Sequence, residues 1–179
     1  YLNTGLKYAE SNEHARAYNC YDSAEKLLQN YAKQKSTANE TFSQQLNNLQ
    51  NEIYYEQAKS LVKLKRDDDA MKCIHSICQS VHVQTIPVSM IGDLLTFILQ
   101  RGHYYSNIED ENVAIRWYKV CNDIYSVYFK NGNNNKHLST TLIDLSIEAA
   151  FGLAKACIKI GNDDAADAAI KNYEDNVVL

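Results

Sequence analysis

An all-α fold, built as a solenoid of about four helical hairpins, is predicted by three features of the 179-residue chain. Proline occurs once and glycine six times, and the 45% of residues that are hydrophobic recur at helical spacing, which leaves little room for sheet. Tyr1, Gly5, Tyr8, Ala17, Tyr21 and Ala24 return as Ile98, Gly102, Tyr105, Ala114, Tyr118 and Cys121, each 97 residues further on. The run AKSLVKLKRDDDA from Ala58 returns 96 residues on as AKACIKIGNDDAA from Ala154. Self-similarity at a fixed spacing is the mark of stacked supersecondary units, each covering the apolar face of its neighbour.

The first hairpin, residues 1–34, carries Tyr1, Gly5 and Tyr8 on its first helix and Ala17, Tyr21 and Ala24 on its second. Small residues are needed where two backbones approach, and large ones fill the gaps between hairpins. Ser11–Glu13 supplies the turn. The second hairpin, 41–82, uses Tyr54, Ala58 and Leu61, then Ala70, Ile74 and Ile77, with an unusually long first helix from about Thr41 to Leu64. Asp67–Asp69 is read as the turn between its helices, where acidic side chains suit the start of the next helix. Pro87 with the β-branched Val83, Thr85 and Ile86 predicts a break over Gln84–Ser89.

The third hairpin, 90–130, uses Ile98, Gly102 and Tyr105, then Ala114, Tyr118 and Cys121, around a turn at Asn107–Glu111. Asn131–Asn135 reads as a loop. The fourth, 138–179, uses Ala150, Ala154 and Cys157, then Ala166, Ile170 and Tyr173, around Gly161–Asp164, again with a long first helix, Leu138 to Ile160. Together these make one repeat domain, 1–179. It begins at Tyr1 already in register, so a segment of a longer solenoid is expected.

The order of small and aromatic residues in these hairpins resembles the tetratricopeptide repeat, which implies a right-handed TPR-like α-solenoid. The first positions are spaced by 53, 44 and 52 residues, against a repeat of about 34, and the proline that usually closes the second helix is missing. Without it the second helices of hairpins one and three are free to run on past Tyr31 and Phe129. The carboxylate clamp of the chaperone-binding members has no counterpart, because Leu2, Leu6 and Tyr55 stand at the corresponding places.

Composition limits the function. A net charge of -4 gives no broad footprint for nucleic acid, and the basic run Lys63-Leu64-Lys65-Arg66 is cancelled by Asp67–Asp69. No apolar run approaches the roughly 20 residues of a membrane span. Five cysteines, an odd number scattered over helices, fit reduced thiols in a nuclear or cytoplasmic protein. His75, Cys78 and His82 share a helix face at i, i+3 and i+7, a zinc-like arrangement that lacks a fourth ligand; no metal and no cofactor is expected. Cys121 and Cys157 occupy packing positions and read as buried small hydrophobes. Trp117 reads as packed between hairpins, with a nearby acceptor for its indole N–H. Glycine-rich phosphate loops, HExxH, GxSxG and repeated CxxC are all missing, so a non-catalytic protein is expected.

Binding is therefore sought on the inner face of each hairpin's first helix, which lines the groove in the tetratricopeptide superfamily. That face carries Leu2, Leu6 and Glu10, then Glu52, Tyr55, Lys59 and Lys63, then Leu99, His103 and Asn107, then Glu148, Phe151, Lys155 and Lys159. Lys59/Lys63 and Lys155/Lys159 are i,i+4 pairs whose ammonium groups point the same way. Tyr55, Lys59, Lys63, His103, Phe151, Lys155 and Lys159 are the candidate partner-binding residues: the lysines for acidic side chains, Tyr55 and Phe151 for an apolar anchor. Neutralisation by Glu52, Glu56 and Glu148 is the competing reading.

Within the superfamily, AIRWYKVCNDIY (from Ala114) followed by LIDLSIEAAFGLAKACIKIGNDDAADAAI (from Leu142) resembles the fungal meiotic synapsis-initiation scaffolds and their animal testis-expressed relatives. That resemblance implies a nuclear protein at meiotic chromosomes that recruits crossover and synaptonemal-complex factors. The expected function is a scaffold binding a peptide or helix of another protein. A cytosolic regulatory or vesicle-trafficking adaptor, and a purely structural solenoid segment, are the alternatives.

Overall fold

In the computed structural model, residues 1–34, 40–81, 88–130 and 140–177 are described. They form eight helices: α1 Leu2–Glu10, α2 His14–Gln34, α3 Glu40–Lys63, α4 Asp67–Val81, α5 Val88–Asn107, α6 Glu111–Lys130, α7 Thr140–Lys159 and α8 Asp163–Val177. No strand occurs among the described residues, so the all-α expectation holds. The chain groups into two compact units, Tyr1–Ile86 and Pro87–Leu179. Each contains two hairpins whose helices pack pairwise, with α2 also on α3 in the first unit, and α5 and α6 both on α7 in the second.

One turn geometry joins the helices of every hairpin. Asn12, Lys65, Glu109 and Gly161 adopt φ of 59°, 58°, 64° and 72°. At the first turn the Asn12 N–H donates to the Ala9 carbonyl at 3.0 Å and the Glu13 N–H to the Tyr8 carbonyl at 2.8 Å. The same nested pair recurs at Lys65 and Arg66, at Glu109 and Asp110, and at Gly161 and Asn162. This is the Schellman closure, which satisfies the last carbonyls of the first helix. The residue after the left-handed one then accepts the first hydrogen bond of the next helix, from Ala17, Ala70, Ala114 or Ala166. Those four alanines are at most 3% exposed, because each lies where the second helix leaves closest to the first.

Asp67–Asp69 belongs to the first turn of α4 and not to the connection, which is Leu64–Arg66. Val88 and Ser89 lie inside α5; the rest of the expected break, 84–87, falls outside the described residues, as do Asn131–Asn135 and His82. Helices α2, α3, α5, α6 and α7 are long, at 21, 24, 20, 20 and 20 residues.

The core follows the repeat positions. Tyr21 and Ala17 are fully buried with Ile53, covered by Leu2, Tyr8 and Leu28. Ala58, Ile74, Ile77, Ile98, Ala114 and Cys121 are fully buried as well. Tyr1 and Ile170 are not core, at 66% and 38% exposed. Tyr1 precedes the first turn of α1, and α8 packs on α7 while burying Ala166 and Ala169, so Ile170 falls off the covered stripe. Leu99 is 3% exposed and so belongs to the core and not to an open face.

Candidate functional site

Helix α5 is forced close to α6 by Gly102, and α7 by Gly152. A Cβ at Gly102 would lie 2.5 Å from Cε1 of Tyr118, and one at Gly152 would lie 2.6 Å from the same atom. The Tyr118 ring is thus wedged between two bare stretches of backbone. The duplicated half repeats one side of this wedge: a Cβ at Gly5 would lie 2.4 Å from Cε1 of Tyr21. The 97-residue offset read from the sequence is therefore also an offset in packing.

Above Tyr118 opens a groove of about 480 Å³ lined by His103, Ser106 and Asn107 of α5, Tyr118 of α6, and Asp144, Ile147, Glu148, Phe151, Gly152 and Lys155 of α7. A polar chain crosses it. The Tyr118 hydroxyl lies 2.9 Å from Nδ1 of His103, and Nε2 of His103 lies 2.8 Å from Oε1 of Glu148. Burial, with smaller contributions from Glu111 and Glu148, pushes the tyrosine hydroxyl up to about 12. It therefore stays protonated, and in the neutral tautomer whose Nε2–H donates to the Glu148 carboxylate, Nδ1 accepts from this hydroxyl. The imidazole also stands edge-on to the Tyr118 ring, with centroids 5.5 Å apart.

A pH dependence follows. Because the hydroxyl's folded pKa of about 12 lies above the ordinary value of about 10, the stability it contributes is complete below pH 10 and is lost as pH rises through 12. Urea unfolding of the wild type against Tyr118→Phe, from pH 8 to 12, is expected to show the difference between the two shrinking by about 2 kcal/mol. A difference that stays constant with pH would show that Tyr118 ionises as freely folded as unfolded.

His103, Phe151 and Lys155 are brought together here. Phe151 is 62% exposed at the lip, and Lys155 has no ion pair among the described residues. Lys159 does not line the groove: it pairs with Glu111 at the start of α6, a carboxylate that is nearly buried and also accepts from Ser106 Oγ at 3.2 Å. That contact ties the end of α7 to the start of α6. Tyr55, Lys59 and Lys63 lie on α3 in the first unit. Lys59 is paired with Glu56 at 2.6 Å and sits 4.8 Å from the Tyr55 ring centroid, so its charge is answered within its own helix. Lys63 is exposed in the last turn.

Sequence reasoning placed Tyr118 in the core and gave Gly152 no role. The available signal was the glycine itself, interrupting the run of good helix formers in FGLAKA; a glycine inside a helical pattern marks a close approach.

Among the described residues no group of three or more His, Cys, Asp and Glu is placed to hold a metal, and no helix is long and apolar enough to cross a membrane. Cys121 is fully buried, and burial pushes its thiol up to about 12, far from a reactive thiolate. Cys157 is also buried and its thiol is raised by the same cause. No family model, no curated protein and no solved structure matches the chain.

Proposed function

We propose that the protein is a non-catalytic scaffold, a TPR-like solenoid segment that binds a peptide or helix of a partner protein in the α5–α7 groove. The groove itself carries this reading. Its volume of about 480 Å³ falls within the range of binding sites, which run from about 300 to 1,000 Å³. An exposed aromatic at the lip, an aromatic floor and a lysine with no ion pair among the described residues make the mixed apolar and polar lining that interface hot spots use. The sequence resemblance makes this chain a nuclear protein at meiotic chromosomes whose partner is a crossover or synaptonemal-complex factor, without direct contact to nucleic acid.

Phe151→Ala tests the reading, since Phe151 is exposed and its loss leaves the core intact. Crosslinking capture from lysate, followed by affinity measurement on the retained partner, is expected to show binding weakened by about 1–3 kcal/mol with helicity unchanged. A chromosome protein among the captured species supports the meiotic assignment, and a vesicle or signalling protein replaces it with the cytosolic adaptor. Equal affinity of wild type and variant would remove the groove as the binding site.

A further inference from the structure

The two halves of the chain carry the same site in two states. By the offsets of 96 and 97, Tyr21 corresponds to Tyr118, Glu52 to Glu148, Tyr55 to Phe151, Glu56 to Gly152 and Lys59 to Lys155. The left-handed turn residues confirm the register, Lys65 with Gly161 and Asn12 with Glu109. In the first unit Glu56 is 9% exposed and its carboxylate meets Lys59 at 2.6 Å. It also lies close enough to Tyr21 to raise that hydroxyl's pKa, second only to burial. The Tyr21 hydroxyl is buried without a hydrogen-bond partner among the described residues, so the Glu56 carboxylate is held by Lys59, and in the first unit a glutamate of the chain itself pairs with the lysine.

In the second unit the tyrosine and the lysine remain and the glutamate is gone. Gly152 supplies no side chain, Lys155 has no ion pair among the described residues, and both line an open groove with Tyr118. Of the other charges on the groove, Glu148 is held by His103, and Asp144 lies a further turn toward the start of α7. The groove is therefore acidic at one end and basic at the other, with Glu148 and Lys155 about 10 Å apart along the helix.

From this the geometry points to a specific occupant: a glutamate side chain of the partner protein enters the groove beside Gly152 and pairs with Lys155, taking the place that Glu56 fills in the first unit. The inference rests on the groove being the binding site. It further sets the polarity of the ligand, with a basic residue of the partner toward Asp144 and Glu148.

The test is selection of twelve-residue peptides displayed on phage against the full chain, with the enriched sequences remade as peptides capped at both ends. The enriched set is expected to share a glutamate. Glutamate to glutamine in the peptide, and Lys155→Glu in the protein, are each expected to weaken binding about tenfold. A peptide with lysine in place of that glutamate is expected to recover affinity for Lys155→Glu, a gain that misfolding cannot produce. If the glutamine peptide binds as well as the parent while Phe151→Ala still weakens it, the groove stands and the glutamate assignment falls. If Phe151→Ala has no effect either, or nothing is enriched, both fall. Affinity that is lost on capping the peptide's C-terminus, with the internal glutamate dispensable, also overturns the assignment.

Discussion

Trp117→Ala is expected to lower the unfolding free energy by about 3–5 kcal/mol, the range for emptying a large aromatic site in a core. Trp117 is fully buried on α6 and stands edge-on to Phe97 of α5, with centroids 6.2 Å apart and ring planes at 89°. The indole N–H, expected from sequence to find an acceptor, has none among the described residues. The side chain therefore contributes through apolar contact and volume, against the cost of an unsatisfied donor. Trp117→Phe, which removes that donor and keeps the aromatic contact with Phe97, is accordingly expected to cost much less than alanine. Urea unfolding followed by far-ultraviolet circular dichroism reads both, since the chain has one tryptophan and its fluorescence is lost with it. A loss below about 1 kcal/mol for the alanine variant, the size of an ordinary surface substitution, would mean that α6 does not pack as described.

Gly102→Leu is expected to destabilise the second unit by about 3 kcal/mol or more. The first added carbon alone would lie 2.5 Å from the Tyr118 ring, and the ring has little room to move, because it also packs so close to the Gly152 backbone that a Cβ there would lie 2.6 Å from the same ring atom. Overpacking of a filled core costs about 1–3 kcal/mol for modest insertions, and a leucine adds four carbons. It outweighs the gain of about 1 kcal/mol in helix propensity on leaving glycine. The discriminating measurement is a double-mutant cycle with Tyr118→Ala, which removes the obstacle. The double variant is expected to be more stable than the sum of the two single effects, with a coupling of at least about 1 kcal/mol. Additive effects would place the glycine and the ring apart. The same argument applies to Gly5 and Tyr21 in the first unit, where one glycine and not two borders the ring.

The hairpin positions were legible because they depend on local chemistry repeated along the chain. The left-handed residues at 12, 65, 109 and 161 are spaced by the same 53, 44 and 52 residues that separate the repeat positions. The alanines at the start of each second helix and the apolar stripes behind them are the pattern of close backbone approach. Details of the second and third turns were less legible. Lys65 and Glu109 are not residues that announce a left-handed conformation; they adopt it because the nested hydrogen bonds close around them. Asp67–Asp69 attracts attention as a turn and in fact starts a helix, since carboxylates favour a first turn as much as a connection.

Of the candidate binding residues, His103, Phe151 and Lys155 meet in one groove, while Lys159 is taken by Glu111 and Lys59 by Glu56. Spacing along a helix decides which face a side chain shares, and the inner-face count found these residues for that reason. Whether a lysine on that face is neutralised depends on carboxylates 3 residues away in one case and 48 in the other. The nearer partner is visible in the sequence and the farther one is not.

By itself, then, the sequence determined an all-helical chain, its division into hairpins and the internal duplication, because helix periodicity, capping and small-residue spacing act within a few tens of residues. Only the tertiary structure decided that Tyr118 is the floor of a groove, that Gly152 borders this groove where Glu56 pairs with Lys59 in the other half, and that Lys155 lines the groove with no ion pair among the described residues. Those properties belong to contacts between α5, α6 and α7, which are set by the close approach of three backbones and not by the pattern along any one of them.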